Sequence, residues 1–323
     1  MASVDLDRID LVDPDSYVDD VPWAWFDALR RERPVTWHEE TAPNHGFWSV
    51  TRYQDLLDVH MDWETYSSEK GAVIDWGDAM IGNQDPEYSA AVVDRVDTEE
   101  FRLLPFRSPI AREVFAYGRR QRDLRLEEPT EDVITALTVA QQEGILSERD
   151  YDNYFSLLMI AGNETTRHTI SHGMLALMEH PEQLRALQED PSLIPTAVEE
   201  VLRWATPVMH FRRTATRDVE LGGQRIRAGD KVVTWYISAN RDETAFEDPY
   251  RFDIRRQPNQ HVTFGPGGPH FCLGAHLARL ETKVLFQELL PRLASIERTG
   301  PVERMRSNFV HGIKHLPVRV RLR

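Results

Sequence analysis

Cysteine is almost missing from this chain of 323 residues: Cys272 stands alone. A lone thiol excludes an intrachain disulfide and any all-cysteine zinc site. Long apolar runs are missing too. Leu157–Ala161 is among the longest, far short of the ~20 residues that span a bilayer, so no membrane anchor is expected. Positive charge is in deficit: 38 Lys and Arg face 53 Asp and Glu, a net −15. That balance argues against a partner of nucleic acid or anionic lipid. Residues Met1–Asp20 are rich in Asp and show neither a basic segment nor an apolar core, so no secretory leader is expected and a cytoplasmic location is. No internal repeat, low-complexity linker, or flavin or nicotinamide fingerprint is visible. What is present is ordinary for a globular protein, 41% apolar and 28% charged residues. The length allows about two domains or one large one.

Apolar spacing and proline punctuation predict helices over Val21–Arg33, Tyr53–Met61, Pro109–Leu124 and Thr130–Glu143. In Tyr53–Met61, Leu56, Leu57 and His60 share a side. Thr130 is the expected cap of the fourth helix. Val35–Glu39 and Gly46–Thr51 read as two strands about a turn. Ser67–Asp85 has no clear period and reads as loop. From Ser147 to Glu179 there is no proline, and the central residues Leu157–Gly162 are apolar nearly all round. A helix of that length, roughly 45–50 Å, should run through the core. Helices follow at Pro181–Glu189 and Pro195–Ala205. Strand periodicity follows over Arg217–Ile226, turning at Gly222-Gly223, and over Lys231–Ile237. A long helix over Leu273–Leu290 and a strand over Val318–Leu322 close the chain. The fold class is mainly α with small antiparallel sheets, α+β in one mass.

Three clusters carry chemistry. Phe264-Gly265-Pro266-Gly267-Gly268-Pro269-His270-Phe271-Cys272-Leu273-Gly274 places the only thiol between a glycine-rich loop and a helix start. A helix N-terminus favours thiolate, and glycines let a chain pass close to a flat cofactor. A lone Cys is otherwise a small buried hydrophobe. Ala161-Gly162-Asn163-Glu164-Thr165-Thr166 puts an acid, hydroxyls and a glycine in the middle of an apolar helix. Glycine there costs about 1 kcal/mol against alanine, and such local violations collect at functional sites. Glu200 and Arg203 share a helix face; taken alone they would be an ordinary surface ion pair.

Together, in this order, the clusters resemble the cytochrome P450 family. Phe264, Gly265, Gly267, Cys272 and Gly274 match its Phe-Gly-x-Gly-x-x-x-Cys-x-Gly motif, Glu200 and Arg203 its Glu-x-x-Arg motif, and Ala161, Gly162, Glu164, Thr165 and Thr166 its central-helix motif. The resemblance implies haem b as cofactor, with Cys272 as the axial iron ligand. A thiolate there pushes electron density to the metal. It implies that Thr165 and Glu164 pass protons to the reacting oxygen, and that His270 and Arg213 hold haem carboxylates. Arg251, in Pro249-Tyr250-Arg251-Phe252-Asp253, is the implied third member of the Glu200–Arg203 network. Soluble bacterial members that hydroxylate steroid side chains, branched lipids or terpenoids look most similar.

One departure is large. Family members carry several helices after the second one, the first with a His or Trp and, four residues on, an Arg that touch a haem carboxylate. Here Ser67-Ser68-Glu69-Lys70-Gly71-Ala72-Val73 leads almost directly to Met80-Ile81-Gly82-Asn83-Gln84-Asp85-Pro86, which resembles a later helix end. The chain therefore reads as a single P450-like domain over residues 1–323 with a deletion junction near 73–80. The implied function is monooxygenation of a small apolar substrate by O₂ and electrons from a ferredoxin or flavodoxin-type donor. The alternative is a haem-binding or haem-free remnant without turnover.

Overall fold

In a computed structural model of the chain, the described residues are 4–40, 45–62, 64–67, 85 and 110–323. They belong to two compact units, residues 1–72 with 165–323, and residues 73–164. The junction near 73–80 and nearly all of the loop expected over Ser67–Asp85 lie outside the described residues.

The first unit opens with helix α1 (Trp23–Glu32), strands β1 (Val35–His38) and β2 (Phe47–Val50), helix α2 (Tyr53–Met61) and strand β3 (Tyr66–Ser67). The β1–β2 pairing needs Gly46: its φ is +76°, and a Cβ there would lie 2.6 Å from the His38 carbonyl oxygen. The first turn of α2 is tied from across the chain, where Asp242 accepts from the Tyr53 N–H at 2.8 Å. Its buried face is Leu56, Val59 and His60, with Leu57 only half-buried.

The second unit holds α3 (Ile110–Glu127), α4 (Val133–Gln142) and the first half of α5 (Glu148–Glu179). Asp132, not Thr130, caps α4: its carboxylate accepts from Thr135 N–H at 2.7 Å. Thr130 lies two residues too early and instead donates its own N–H to Thr135 Oγ1. At the start of α5, Ser147 and Asp150 form a reciprocal box, each side chain accepting from the other's N–H at 3.1 and 3.0 Å. Arg119 of α3 grips Asp152 of α5 with two bonds, at 3.1 and 2.6 Å. A Cβ on Gly118 would meet the Phe155 ring at 2.6 Å, so glycine sets that close approach.

The long helix is buried at its two ends, at Tyr151 and Phe155 and again at Met174 to Leu177. Its middle is not in the core as its apolar composition suggests: Met159 is 45% exposed, and Ala161, Gly162 and Asn163 are exposed.

The remaining elements belong to the first unit: α6 (Pro181–Glu189), α7 (Ile194–Ala205), β4 (His210–Ala215), β5 (Val219–Leu221), β6 (Gln224–Ile226), β7 (Lys231–Trp235), the short α8 (Tyr236–Ala239), α9 (Ala275–Leu289), β8 (Leu293–Arg298), β9 (Glu303–Arg304), β10 (Ile313–His315) and β11 (Val318–Leu322). The strand at 210–215 has no counterpart in the sequence periodicity. The main sheet runs β1-β2-β7-β4-β3 and is mixed rather than antiparallel throughout, because β2 lies parallel to β7. Both strands sit inside the sheet and are mostly buried, which suits a parallel pair. The largest core cluster joins α5, α7 and α9 through Leu177, Val201, Leu202 and Phe286. Gly173 brings α5 against Val201, where a Cβ would meet the side chain at 2.7 Å. Among the described residues no helix is long and apolar enough to cross a membrane.

Candidate functional site

The loop before α9 is closed on itself by the Cys272 N–H, which donates to the Phe264 carbonyl at 2.9 Å. Gly265, Gly267 and Gly268 take φ of +82°, +137° and +74°, values that side chains resist. The backbone thereby turns tightly enough to present residues 268–274 at the surface, Cys272 among them. Gly274, the residue before α9, lies beside the thiol: a Cβ there would sit 4.0 Å from the Cys272 sulfur. Atoms crowding the sulfur push its pKa up; the Gly274 N–H and the charge of Arg279 pull it back without reversing the sign. The helix start behind the thiol therefore does not by itself make a thiolate, as the sequence suggested it would. A cation at the sulfur, such as a metal, would supply the missing stabilisation.

Phe264 is fixed from behind by residues that the motif analysis left without a role. The Arg279 guanidinium lies 4.5 Å from the Phe264 ring centroid. Arg279 also binds Glu199 of α7 through two bonds, at 2.7 and 3.0 Å, and His261 reaches the same carboxylate at 3.0 Å. Burial raises the Glu199 pKa, but the bonds from His261 and Arg279 outweigh it and hold the acid at about 2. The ionised clamp ties the loop to α7. Arg279 follows Cys272 by seven residues, so a basic side chain just over one turn into the helix was its only sequence signal.

Arg213 of β4 is buried at 4% exposure. It donates to the Arg212 carbonyl at 2.9 Å and approaches His60 Nδ1 at 3.5 Å. It forms no ion pair with a carboxylate among the described residues. Its pKa is lowered by burial, and a buried unpaired guanidinium is costly. His270 is close enough to Arg213 to be held below its ordinary pKa, first by burial and then by that charge. The arrangement brings two basic side chains together and suits an anionic, carboxylate-bearing ligand.

Glu200 and Arg203 are fully buried and paired bidentately at 2.8 Å twice. Arg203 also donates to the carbonyls of Asn240 and Pro249, at 2.7 and 2.9 Å. The third charged member is Arg256, not Arg251. Arg256 Nε lies 3.1 and 3.3 Å from the Glu200 oxygens. The Arg251 side chain is 66% exposed and faces Asp253 at 4.0 Å. A turn, in which Arg251 N–H donates to Asp248 O, directs it outward, and only its carbonyl joins the network, accepting from Arg256 at 2.8 Å and Arg203 at 3.3 Å.

On α5, Glu164 and Thr165 are half-buried, and a Cβ on Gly162 would meet nothing within 4 Å. Among the described residues nothing packs against the glycine, and open space lies beside it. Thr165 O accepts from Thr169 Oγ1 at 2.9 Å, a back-bond of the kind that bends helices.

The residues present fit haem: an exposed thiol behind a glycine turn, with a buried guanidinium that lacks a carboxylate. The model for the Cytochrome P450 family matches residues 102–314. A methyl-branched lipid omega-hydroxylase of Mycobacterium tuberculosis is 44% identical over 76% of this chain, yet the match covers 55% of that protein's length. The chain thus spans little more than half of that relative. A putative cytochrome P450 126 of the same species is 36% identical over 98% of both chains. That alignment has 407 positions against about 317 residues (98% of 323), so about 90 positions carry no residue of this chain. Among solved structures, a Mycobacterium marinum cytochrome P450 in complex with pseudoionone superposes with a TM-score of 0.81 at 33% identity, covering 98% of this chain and 100% of the other.

Proposed function

The chain belongs to the cytochrome P450 family, and on that premise we propose that it is a haem-thiolate monooxygenase acting on an apolar, branched substrate. The observation that carries this is the Cys272 loop: the only thiol of the sequence, presented at the surface by glycine turns at the start of α9. Cytochrome P450s carry haem b, which supplies the oxygen-activating redox chemistry that no side chain here possesses. Cys272 would ligate its iron. Arg213 and His270 would bind its carboxylates. Thr165 would hold a proton at its hydroxyl for the reacting oxygen, and Glu164 would renew that proton from solvent. Electrons would come from a separate ferredoxin or flavodoxin-type donor. The similarity to a methyl-branched lipid omega-hydroxylase favours a branched lipid, with steroid side chains and terpenoids as the competing substrates.

A second reading is favoured by a specific observation. About 90 positions of a relative matched over 98% of its length have no counterpart here. In that reading the chain is a single P450 domain with its interior shortened, binding haem or not, without turnover.

A spectrum and a turnover assay together separate them. The reduced carbon monoxide complex of the parent should show the red-shifted Soret band of thiolate ligation, and Cys272→Ala should abolish it whatever haem remains. Persistence of that band in the variant would end the haem-thiolate reading. A parent that shows the band but consumes no electrons, and no peroxide, is the remnant.

A further inference from the structure

Beside the cysteine loop lies a buried polar cluster that the family motifs do not include. His60, on the last turn of α2, is 2% exposed. Its end of α2 lies against the glycine turn: a Cβ on Gly268 would sit 3.4 Å from the His60 carbonyl, and one on Gly267 3.8 Å from Met61 Sδ. The imidazole has three described polar neighbours. Arg213 Nη2 lies 3.5 Å from Nδ1, while Thr234 Oγ1 and Tyr236 OH lie 3.2 and 3.0 Å from Nε2.

The chemistry of those neighbours fixes the tautomer. A guanidinium has only donors, so Nδ1 facing Arg213 must be the bare nitrogen. The Thr234 hydroxyl already donates to the Phe211 carbonyl at 3.1 Å, so its oxygen accepts from Nε2–H. The one Nε2 proton lies between two oxygens and is shared with Tyr236, the nearer at 3.0 Å, whose oxygen then also acts as acceptor. The phenol proton is then left over, in a group whose oxygen is 3.9 Å from where a Gly265 Cβ would be. Burial, with the charges of Arg213 and His270, holds His60 at about 3, so it is neutral wherever the protein is folded. Burial likewise raises the Tyr236 pKa far up and keeps its proton in place.

We propose that His60 is a positioning residue for haem binding: its Nδ1 orients the Arg213 guanidinium toward the haem carboxylates, and its Nε2 turns the Tyr236 phenol into a second donor at the same edge. The inference rests on the haem-thiolate reading. It bears on this chain in particular, because the resemblance assigns further carboxylate donors to a helix whose His or Trp and Arg pair is not found in the sequence.

The test is titration of apo-protein with haem and with haem dimethyl ester, which has no free carboxylates, followed by Soret absorbance. His60→Leu should weaken haem about tenfold, the scale of one lost charge-assisted hydrogen bond, and leave the ester unchanged. His60→Asn, whose amide oxygen takes the place of Nδ1, should restore most of the affinity. His60→Gln, which reaches the Nε2 position instead, should not. Tyr236→Phe, nearly isosteric, should weaken haem but not ester and keeps the question open to experiment if His60→Leu fails to fold. Equal losses for haem and ester would show a packing role only and overturn the proposal, as would unchanged haem affinity in all four variants. If the parent shows the thiolate band while these outcomes fail, the positioning role alone falls; a parent that takes up no haem sinks both.

Discussion

At Glu200 one carboxylate meets two guanidinium groups and a backbone N–H, that of Asp253 at 2.9 Å. Glu200 and Arg203 are fully buried and the Arg256 side chain nearly so, and removing the acid leaves both arginines without their counter-charge. Breaking such a pair costs about 3–5 kcal/mol. Glu200→Ala should therefore yield little soluble protein, and any that purifies should melt well below the parent; a normal melting temperature would contradict the burial. Arg256→Ala should come close to that loss, whereas Arg251→Ala should stay within about 0.5 kcal/mol, as exposed substitutions do. The pair of variants measured by urea denaturation decides between the two arginines. Sequence alone pointed to Arg251 because a motif places an arginine in that stretch. It could not show that the turn at Asp248 sends the Arg251 side chain outward while Arg256, five residues later, folds back. The motif residues themselves were legible, since glycine, cysteine and the Glu-x-x-Arg spacing are local. The partners Arg279, Glu199 and His60 were not, because what gives them meaning is contact between segments far apart in the chain.

The proposed role of Thr165 in turnover is testable at the same scale. Its replacement by valine removes a hydroxyl at almost constant volume, so folding and haem content should survive in Thr165→Val. Reducing equivalents should then appear as peroxide in place of hydroxylated product, measured as the ratio of the two. Coupling equal to the parent's would place the proton route elsewhere.

Among elements, the ends of helices and hairpins were easiest to read, since prolines, caps and glycine turns act locally. Tyr53–Met61, Pro181–Glu189 and Val318–Leu322 occur with the expected bounds. The strand β4 was invisible because His210, Phe211, Arg212 and Arg213 do not alternate; its two arginines are accommodated in a sheet whose neighbours set their surroundings. The C-terminal half of α5 has a different property, acid sensitivity. His172 on α5 stacks with His311 at a centroid distance of 3.9 Å. His172 Nε2 donates to the His311 carbonyl at 3.0 Å, and His311 Nδ1 donates to the Ala205 carbonyl at 2.7 Å. Burial, then the charge of Arg304, lowers His311 from 6.5 to about 3; burial, then His311, lowers His172 well below its ordinary value. The folded state thus keeps both neutral, while the unfolded chain takes up protons as pH falls below 6.5. Stability is full above that value and is lost as pH drops from 6.5 toward 3, at up to about 1.4 kcal/mol per pH unit for each group. Urea midpoints at pH 7, 6 and 5 should fall in that order, and His311→Asn should flatten the slope. A pH-independent midpoint in that window would show that the pair is already charged in the fold.

For the whole molecule, the question is which apolar faces stand uncovered among the described residues. One face of α9 is core, with Ala275, Thr282 and Phe286 buried. On another, Leu277, Leu280 and Val284 are 58%, 54% and 46% exposed. Their spacing of three and four residues makes them one stripe. Ile145 and Met159 are exposed as well, at 70% and 45%. About 90 aligned positions of a relative have no residue in this chain, enough length for several helices. Contiguous apolar surface above a few hundred Å² rarely stays bare in a monomer. The protein should therefore self-associate in a concentration-dependent way by sedimentation velocity and bind an environment-sensitive apolar dye. Leu277→Glu with Leu280→Glu places two charges on the stripe and away from the core face. That double variant should shift the population toward monomer and reduce dye binding, with the melting temperature held. A parent that is already monodisperse and dye-negative would mean that the stripe is covered in solution. A double variant that unfolds would mean the stripe is part of the core after all.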